Sequence, residues 1–154
     1  MNLLNELRAL IDALDSEGIE YALCGGLAMA VHAFPRSTVD IDLIVRRSDF
    51  DRIRAIAVDL GYTIDAGSKK LAEGRIDMHR LTRIDPETHI PFDLDFMFVS
   101  EAIQTVWDSR VRLSWNFGQL STVSIDGLIE LKRMRSNGQD RDDIVLLERL
   151  RDEG

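Results

Sequence analysis

Cysteine is nearly absent from this chain: Cys24 stands alone among 154 residues. A single thiol can form neither an intrachain disulfide nor a thiolate metal cluster, so disulfide-stapled and zinc-ribbon folds are excluded and a reducing, cytoplasmic compartment is expected. The apolar neighbours of Cys24 predict a core thiol. Long apolar runs are missing too. No stretch reaches the roughly 18 residues that span a bilayer, and MNLLNELRALIDAL has no basic segment ahead of an unbroken apolar core, so neither a membrane span nor a signal peptide is predicted. Basic excess is the third absence: 19 Lys and Arg face 27 Asp and Glu, a net charge of −8. That balance argues against a broad nucleic-acid-coating surface and leaves room only for a local groove. Finally, no internal repeat, low-complexity tract or linker divides residues 1–154, which reads as one domain.

What is present is an alternation of short helical and extended patterns. Leu3, Leu4, Leu7, Ile11 and Leu14 line one side of a helix that stops near Gly18. Residues 20–24 read as a strand broken by Gly25-Gly26, and LAMAVHAF as a helix stopped by Pro35. A second strand covers 39–45, and a helix opened near Ser48 closes at Gly61. The stretch 62–64 reads as a weak strand and 66–74 as an irregular link. Strands are predicted over 76–81 and 92–99, a helix from Ser100 to about Trp107, outer strands over 111–115 and 119–123, and two final helices from Ser124 and beyond Gly138. The order predicts an α/β (α+β) fold, a mixed central sheet flanked by helices.

Two strands carry paired acids. Side chains two apart in a strand share a face, so Asp40 and Asp42 in RSTVDIDL point together, as do Asp93 and Asp95 in FDLDF. Carboxylates gathered in this way repel and raise one another's pKa unless a cation compensates. A divalent ion with a preference for hard oxygen ligands, magnesium or manganese, is one such cation and arginine is another; a solvated strand end, where water screens the pair, is the remaining reading. Gly25-Gly26 lies between a strand and a helix, where small residues let backbone donors approach phosphate oxygens, although the pair also fits a plain turn.

The run GGLAMAVHAFPRSTVDIDL, with its glycine pair, histidine-bearing helix, Arg-x-Thr and Asp-x-Asp in that order, resembles the signature of the nucleotidyltransferase superfamily. Its look is nearest to small bacterial members of the abortive-infection and toxin–antitoxin type. The resemblance implies a polymerase-beta-like palm and two divalent ions, Mg2+ or Mn2+. It also implies transfer of a nucleoside monophosphate from a nucleoside triphosphate to an acceptor hydroxyl, with pyrophosphate released. Asp40 and Asp42 match the metal-binding pair; the third carboxylate is Asp95, or Asp93 in the other assignment. Gly25, Gly26, Arg36 and Thr38 fall in the triphosphate region, and Arg36 is also a natural ion-pair partner for its acidic neighbours. Lys132 in LIELKRMR resembles the family's lysine-bearing helix, and QDRDDI its Lys-Asp-x-x-Asp segment. Asp140 and Asp143 thereby take active-site or supporting positions, while Gln139 departs from the usual lysine.

The acceptor stays open among tRNA, a protein hydroxyl and a small molecule, and a homodimer mate or cognate protein partner would complete its surface. The contrasting expectation is an antitoxin-like or regulatory protein that binds nucleotide or partner with little catalysis. A phosphohydrolase is disfavoured, because there the nucleophilic aspartate follows the first strand, whereas here a glycine turn and helix precede the acids. His32 is read as a packing or backbone-bonding residue, and Trp107 and Trp115 as core or partner contacts.

Overall fold

Asn2 opens the first helix, its side-chain oxygen accepting from the backbone N–H groups of Leu4 and Asn5. The structure is a computed structural model that describes residues 2–32, 38, 40–135 and 138–154. Helix α1 (Leu3–Ser16) buries Leu7, Leu10, Ile11 and Leu14 and ends before Gly18. The chain continues as β1 (Ala22–Cys24), α2 (Gly25–Val31), β2 (Asp40–Val45) and, after a single 3-10 turn, α3 (Phe50–Asp59). Then come β3 (Ile64–Leu71), β4 (Ile76–Ile84), β5 (Pro91–Phe98), α4 (Gln104–Asp108), β6 (Val111–Trp115), β7 (Gly118–Thr122), α5 (Ile125–Arg135) and α6 (Gly138–Glu153).

The seven strands form one mixed sheet in the order β3-β4-β5-β2-β1-β7-β6. Strand β2 runs parallel to β5 and β1 parallel to β7, and the remaining neighbours are antiparallel. The mixed α/β architecture is the one the sequence predicts. Alternation along the central strands gives the sheet two different faces. Ile41 and Leu43 of β2 and Leu94, Phe96 and Phe98 of β5 are buried on one of them. Phe50 of α3 packs its ring against Phe96 and Phe98, and Arg83 of β4 reaches Glu6 of α1, so these two helices cover that side. The other face carries the acids and borders a cavity walled in part by the β1–α2 turn and α5.

One sequence expectation fails in this region. Residues 66–74, read as an irregular link, are mostly strand: β3 runs eight residues and pairs antiparallel with β4 along its length. Strand β3 is an edge, exposed along most of its length, so it carries no alternation to detect. A bulge between Asp65 and Gly67 further breaks the period-two pattern. The hairpin turns through Ala72 and Glu73 at φ of 52° and 59° and Gly74 at 86°. Smaller differences lie at element ends. Helix α2 begins at Gly25 itself, and the helix expected from Ser100 is a 3-10 turn running into the five residues of α4. The turn expected at Asn137 lies outside the described residues.

Candidate active site

The parallel pairing of β2 with β5 sets Asp40 opposite Asp93 and Asp42 opposite Asp95. Because β1 pairs antiparallel on the other side of β2, Cys24 stands beside Asp42. All of these side chains share one sheet face by the parity of their strands. They lie at or beside the floor of a cavity of about 660 Å3. One wall is the β1–α2 turn with Thr38, together with Leu128, Leu131, Lys132 and Arg135 of α5. The opposite wall is the β3–β4 hairpin with Lys69, Leu71, Ile76 and Met78, joined by Met97 of β5.

Gly25 is demanded by this geometry. It adopts φ +67°, and a Cβ placed there would lie 2.8 Å from the carboxyl carbon of Asp42. The turn therefore rests directly on that carboxylate. Gly26 has looser contacts, its absent Cβ lying 3.3 Å from Cβ of Thr38. The Thr38 hydroxyl accepts from the backbone N–H of Asp40 at 3.2 Å and fixes the entry into β2. Arg36 lies outside the described residues.

The two acidic pairs meet different fates. Burial raises the pKa of Asp42 to about 7, with the neighbouring charges of Asp95 and Asp40 adding to the shift. Asp40 is raised as well, first by burial and then by Asp95 and Asp93. The second pair has a cation of its own. Arg80 of β4 forks onto Asp95, Nε to Oδ1 at 2.7 Å and Nη2 to Oδ2 at 2.9 Å, and its Nη1 lies 3.5 Å from Asp93. Asp93 further accepts from the Thr82 hydroxyl at 2.7 Å. The arginine partner that the sequence left open is thus realised for Asp93 and Asp95. Asp95 is buried and borders the cavity, whereas Asp93 is turned towards Thr82 and is not part of its lining.

The donor set suits a divalent cation in its chemistry: hard carboxylate oxygens, those of Asp40 and Asp42 on groups that burial and neighbouring acids raise above the ordinary carboxylate range. In the present arrangement, no three His, Cys, Asp or Glu side chains among the described residues converge closely enough to hold a metal ion.

Lys132 is buried in α5 and borders the cavity. Its Nζ lies 2.9 Å from Asp143 and 3.7 Å from Asp140, both buried on α6, and Asp140 also meets Arg135 at 3.4 Å. Asp140 and Asp143 therefore stand behind the lysine and do not line the cavity. Cys24 is buried, and burial followed by the charge of Asp42 pushes its thiol well above the ordinary range, consistent with an inert core thiol. His32 donates from Nε2 to the Val123 carbonyl at 2.9 Å. Trp107 is buried in the core. Arg80 and Thr82 carried no local signal in the sequence and are recognisable only once β4 is registered against β5; Arg135 closes the LIELKRMR run, where no role was assigned to it.

A family model described as an uncharacterised nucleotidyltransferase matches residues 1–122. No curated relative matches in sequence. Among solved structures, TM1012 from Thermotoga maritima, a nucleotidyltransferase by assignment, aligns at 15% identity over 97% of this chain and 92% of its own, with a TM-score of 0.61. The lincosamide antibiotic adenylyltransferase LnuA, solved with lincomycin, aligns at 14% identity over 95% of this chain and 96% of its own, with a TM-score of 0.58. ANT(2'')-Ia, solved with adenylyl-2''-tobramycin, aligns at 15% identity over 94% of this chain and 86% of its own, with a TM-score of 0.62. At these identities the likeness is one of fold.

Proposed function

The chain belongs to this nucleotidyltransferase family and is an enzyme of nucleotide transfer; on that premise we propose that it transfers a nucleoside monophosphate from a nucleoside triphosphate to an acceptor hydroxyl, releasing pyrophosphate, with Mg2+ or Mn2+. The observation that carries this reading is the in-register placement of Asp42 beside Asp95 at the floor of a cavity with a cationic wall. Asp40, Asp42 and Asp95 would hold the cation, with Asp93 supporting from behind. When bound, the cation would lower the pKa of the acceptor hydroxyl and neutralise charge on the departing pyrophosphate.

The remaining chemistry belongs to side chains and backbone of this chain. Gly25 and Gly26 bring the β1–α2 turn against Asp42 and Thr38, where its backbone N–H groups would meet phosphate oxygens, and Thr38 holds Asp40 at the mouth of β2. Lys132 and Arg135 face the same cavity and offset triphosphate charge; Asp140 and Asp143 fix the lysine ammonium in one place. In-line displacement puts the entering hydroxyl and the leaving pyrophosphate on opposite sides of the α-phosphorus. With the triphosphate against the glycine turn, the acceptor enters along the hairpin wall of Leu71, Ile76, Met78 and Met97. A tRNA end, a protein hydroxyl and a small molecule are all compatible with that wall.

The test is transfer of label from each of the four α-labelled triphosphates, with Mg2+ or Mn2+, to a panel of the three acceptor classes, comparing wild type with Asp42→Ala. Metal-dependent, Asp42-dependent transfer with stoichiometric pyrophosphate is expected. Release of inorganic phosphate, or tight binding of a partner protein with no transfer to any acceptor, would reject it.

A further inference from the structure

Arg80 is the cation that the acidic cluster already owns. Both oxygens of Asp95 are taken by its guanidinium fork, at 2.7 and 2.9 Å. A chelating metal would compete for those same lone pairs. The arginine is nevertheless not locked in. Its side chain is one-third exposed and borders the cavity that Asp40 and Asp42 face. Across the hairpin its partner is Gly67, which has no side chain to pin it, and the position a Cβ would occupy there is open. Asp93 has an independent partner in Thr82 and keeps a hydrogen bond if Arg80 leaves. The guanidinium geometry that matches a carboxylate matches a phosphate equally well, so exchange between the two conserves the number of charge-assisted hydrogen bonds.

We propose that Arg80 is an exchange cation: it holds Asp95 while the site is empty and moves onto the phosphates of an entering triphosphate, releasing Asp95 to ligate the divalent ion. The inference rests on the nucleotide-transfer reading and adds a coupling to it. Anion binding and cation binding become mutually favourable through one side chain, and linkage makes that coupling reciprocal. Metal alone binds a two-carboxylate site, and Asp95 becomes available to it only once Arg80 is drawn away.

Two measurements on the full chain separate the steps. Mn2+ binding without any anion, followed by the loss of its free electron-spin-resonance signal, is expected to be about 10-fold tighter in Arg80→Gln than in wild type. In the Arg80→Gln background, Asp95→Asn then weakens binding by a similar factor, whereas in wild type the same change has little effect. Binding of inorganic tripolyphosphate in EDTA, followed by calorimetry, shows the opposite pattern: weaker by about 10-fold in Arg80→Gln and tighter in Asp95→Asn, where the guanidinium keeps only its 3.5 Å approach to Asp93. Arg80→Lys serves if the glutamine variant fails to fold. It keeps the charge but not the fork, so it should bind Mn2+ more tightly than wild type. Unchanged or weaker Mn2+ binding in a folded Arg80 variant overturns the proposal, as does tripolyphosphate binding insensitive to Arg80. Neither measurement depends on turnover. Transfer without this competition defeats the exchange alone, and competition without transfer defeats only the enzymatic reading.

Discussion

Asp42 and Asp95 are register partners on adjacent parallel strands, yet only Asp95 has an arginine fork. The difference follows from position in the sheet. Asp95 lies between β2 and β4 and reaches Arg80 across the antiparallel pair, whereas Asp42 lies between β5 and β1, where its neighbour is Cys24. An acid and a thiol cannot compensate one another's burial, so Asp42 carries the unfavourable charge.

The first prediction concerns pH. In the unfolded chain an aspartate titrates near 3.9, while Asp42 in the folded protein is raised to about 7. Between these values the folded state keeps a proton that the unfolded state has released, so stability falls as pH rises. Asp40, raised in the same direction, adds to the slope. Urea denaturation in EDTA should therefore show stability declining from about pH 4 to pH 7 and levelling above it, attributable to this pair. Asp42→Asn should be more stable than wild type at pH 8 by roughly 1–3 kcal/mol while losing transfer. Millimolar Mg2+ or Mn2+ should flatten the wild-type slope. An identical slope in Asp42→Asn would place the titrating group elsewhere.

Glycine 25 gives the second. Alanine there meets two penalties: a left-handed φ of +67° and a Cβ 2.8 Å from the Asp42 carboxyl carbon. Together they should cost about 2–4 kcal/mol, and relief by displacement of Asp42 would also abolish activity. Gly26→Ala is the contrast, because its Cβ meets Thr38 at 3.3 Å and a shift of a few tenths of an ångström suffices. Thermal melts of the two variants should differ by several degrees; equal melts would contradict the close approach.

Much of this site was legible before any coordinates. Period-two geometry gives the shared direction of Asp40 with Asp42 and of Asp93 with Asp95, and the Gly25-Gly26 break marks the turn beside them. Inter-strand register was not legible. It decides that Asp95 borders the cavity and that Asp93 is held by Thr82, and it depends on pairings between segments remote in sequence. Arg80 was hidden for the same reason, since within IDMHRL it is one charged residue in a half-exposed strand. Strand β3 escaped because an edge exposed on both sides has no burial pattern to write into its residues. Lys132 stood out only by family likeness, because its burial depends on acids supplied by α6.

That burial yields the third prediction. Lys132 lies between Asp143 at 2.9 Å and Asp140 at 3.7 Å, all three side chains nearly sealed from solvent. Removing one partner of a buried ionic group typically costs about 3–5 kcal/mol, because the remaining charge keeps its desolvation penalty. Arg135 still reaches Asp140, so Lys132→Met should fall near the lower end, about 3 kcal/mol. The triple change with Asp140→Asn and Asp143→Asn should recover most of that stability. Chemical denaturation measures both. Transfer should remain low in both variants, since the lysine bordering the cavity is gone from each.

The last prediction separates the two acids of β5. Asp95 borders the cavity and stands beside Asp42, whereas Asp93 stands beside Asp40 but is turned to Thr82 and Arg80. If Asp95 is the third cation ligand, Asp95→Asn removes a charge needed at the reacting centre, and kcat should fall by at least about 10^3-fold, a loss of roughly 4 kcal/mol in transition-state stabilisation. Asp93→Asn keeps an oxygen that can accept from Thr82 and loses only the longer 3.5 Å approach of Arg80. Its activity should drop less than about 10-fold, a barrier change within about 1.4 kcal/mol. Single-turnover rates at saturating triphosphate and metal give the comparison. The reverse ranking would assign the ligand to Asp93 and require Asp95 to serve as the anchor for Arg80.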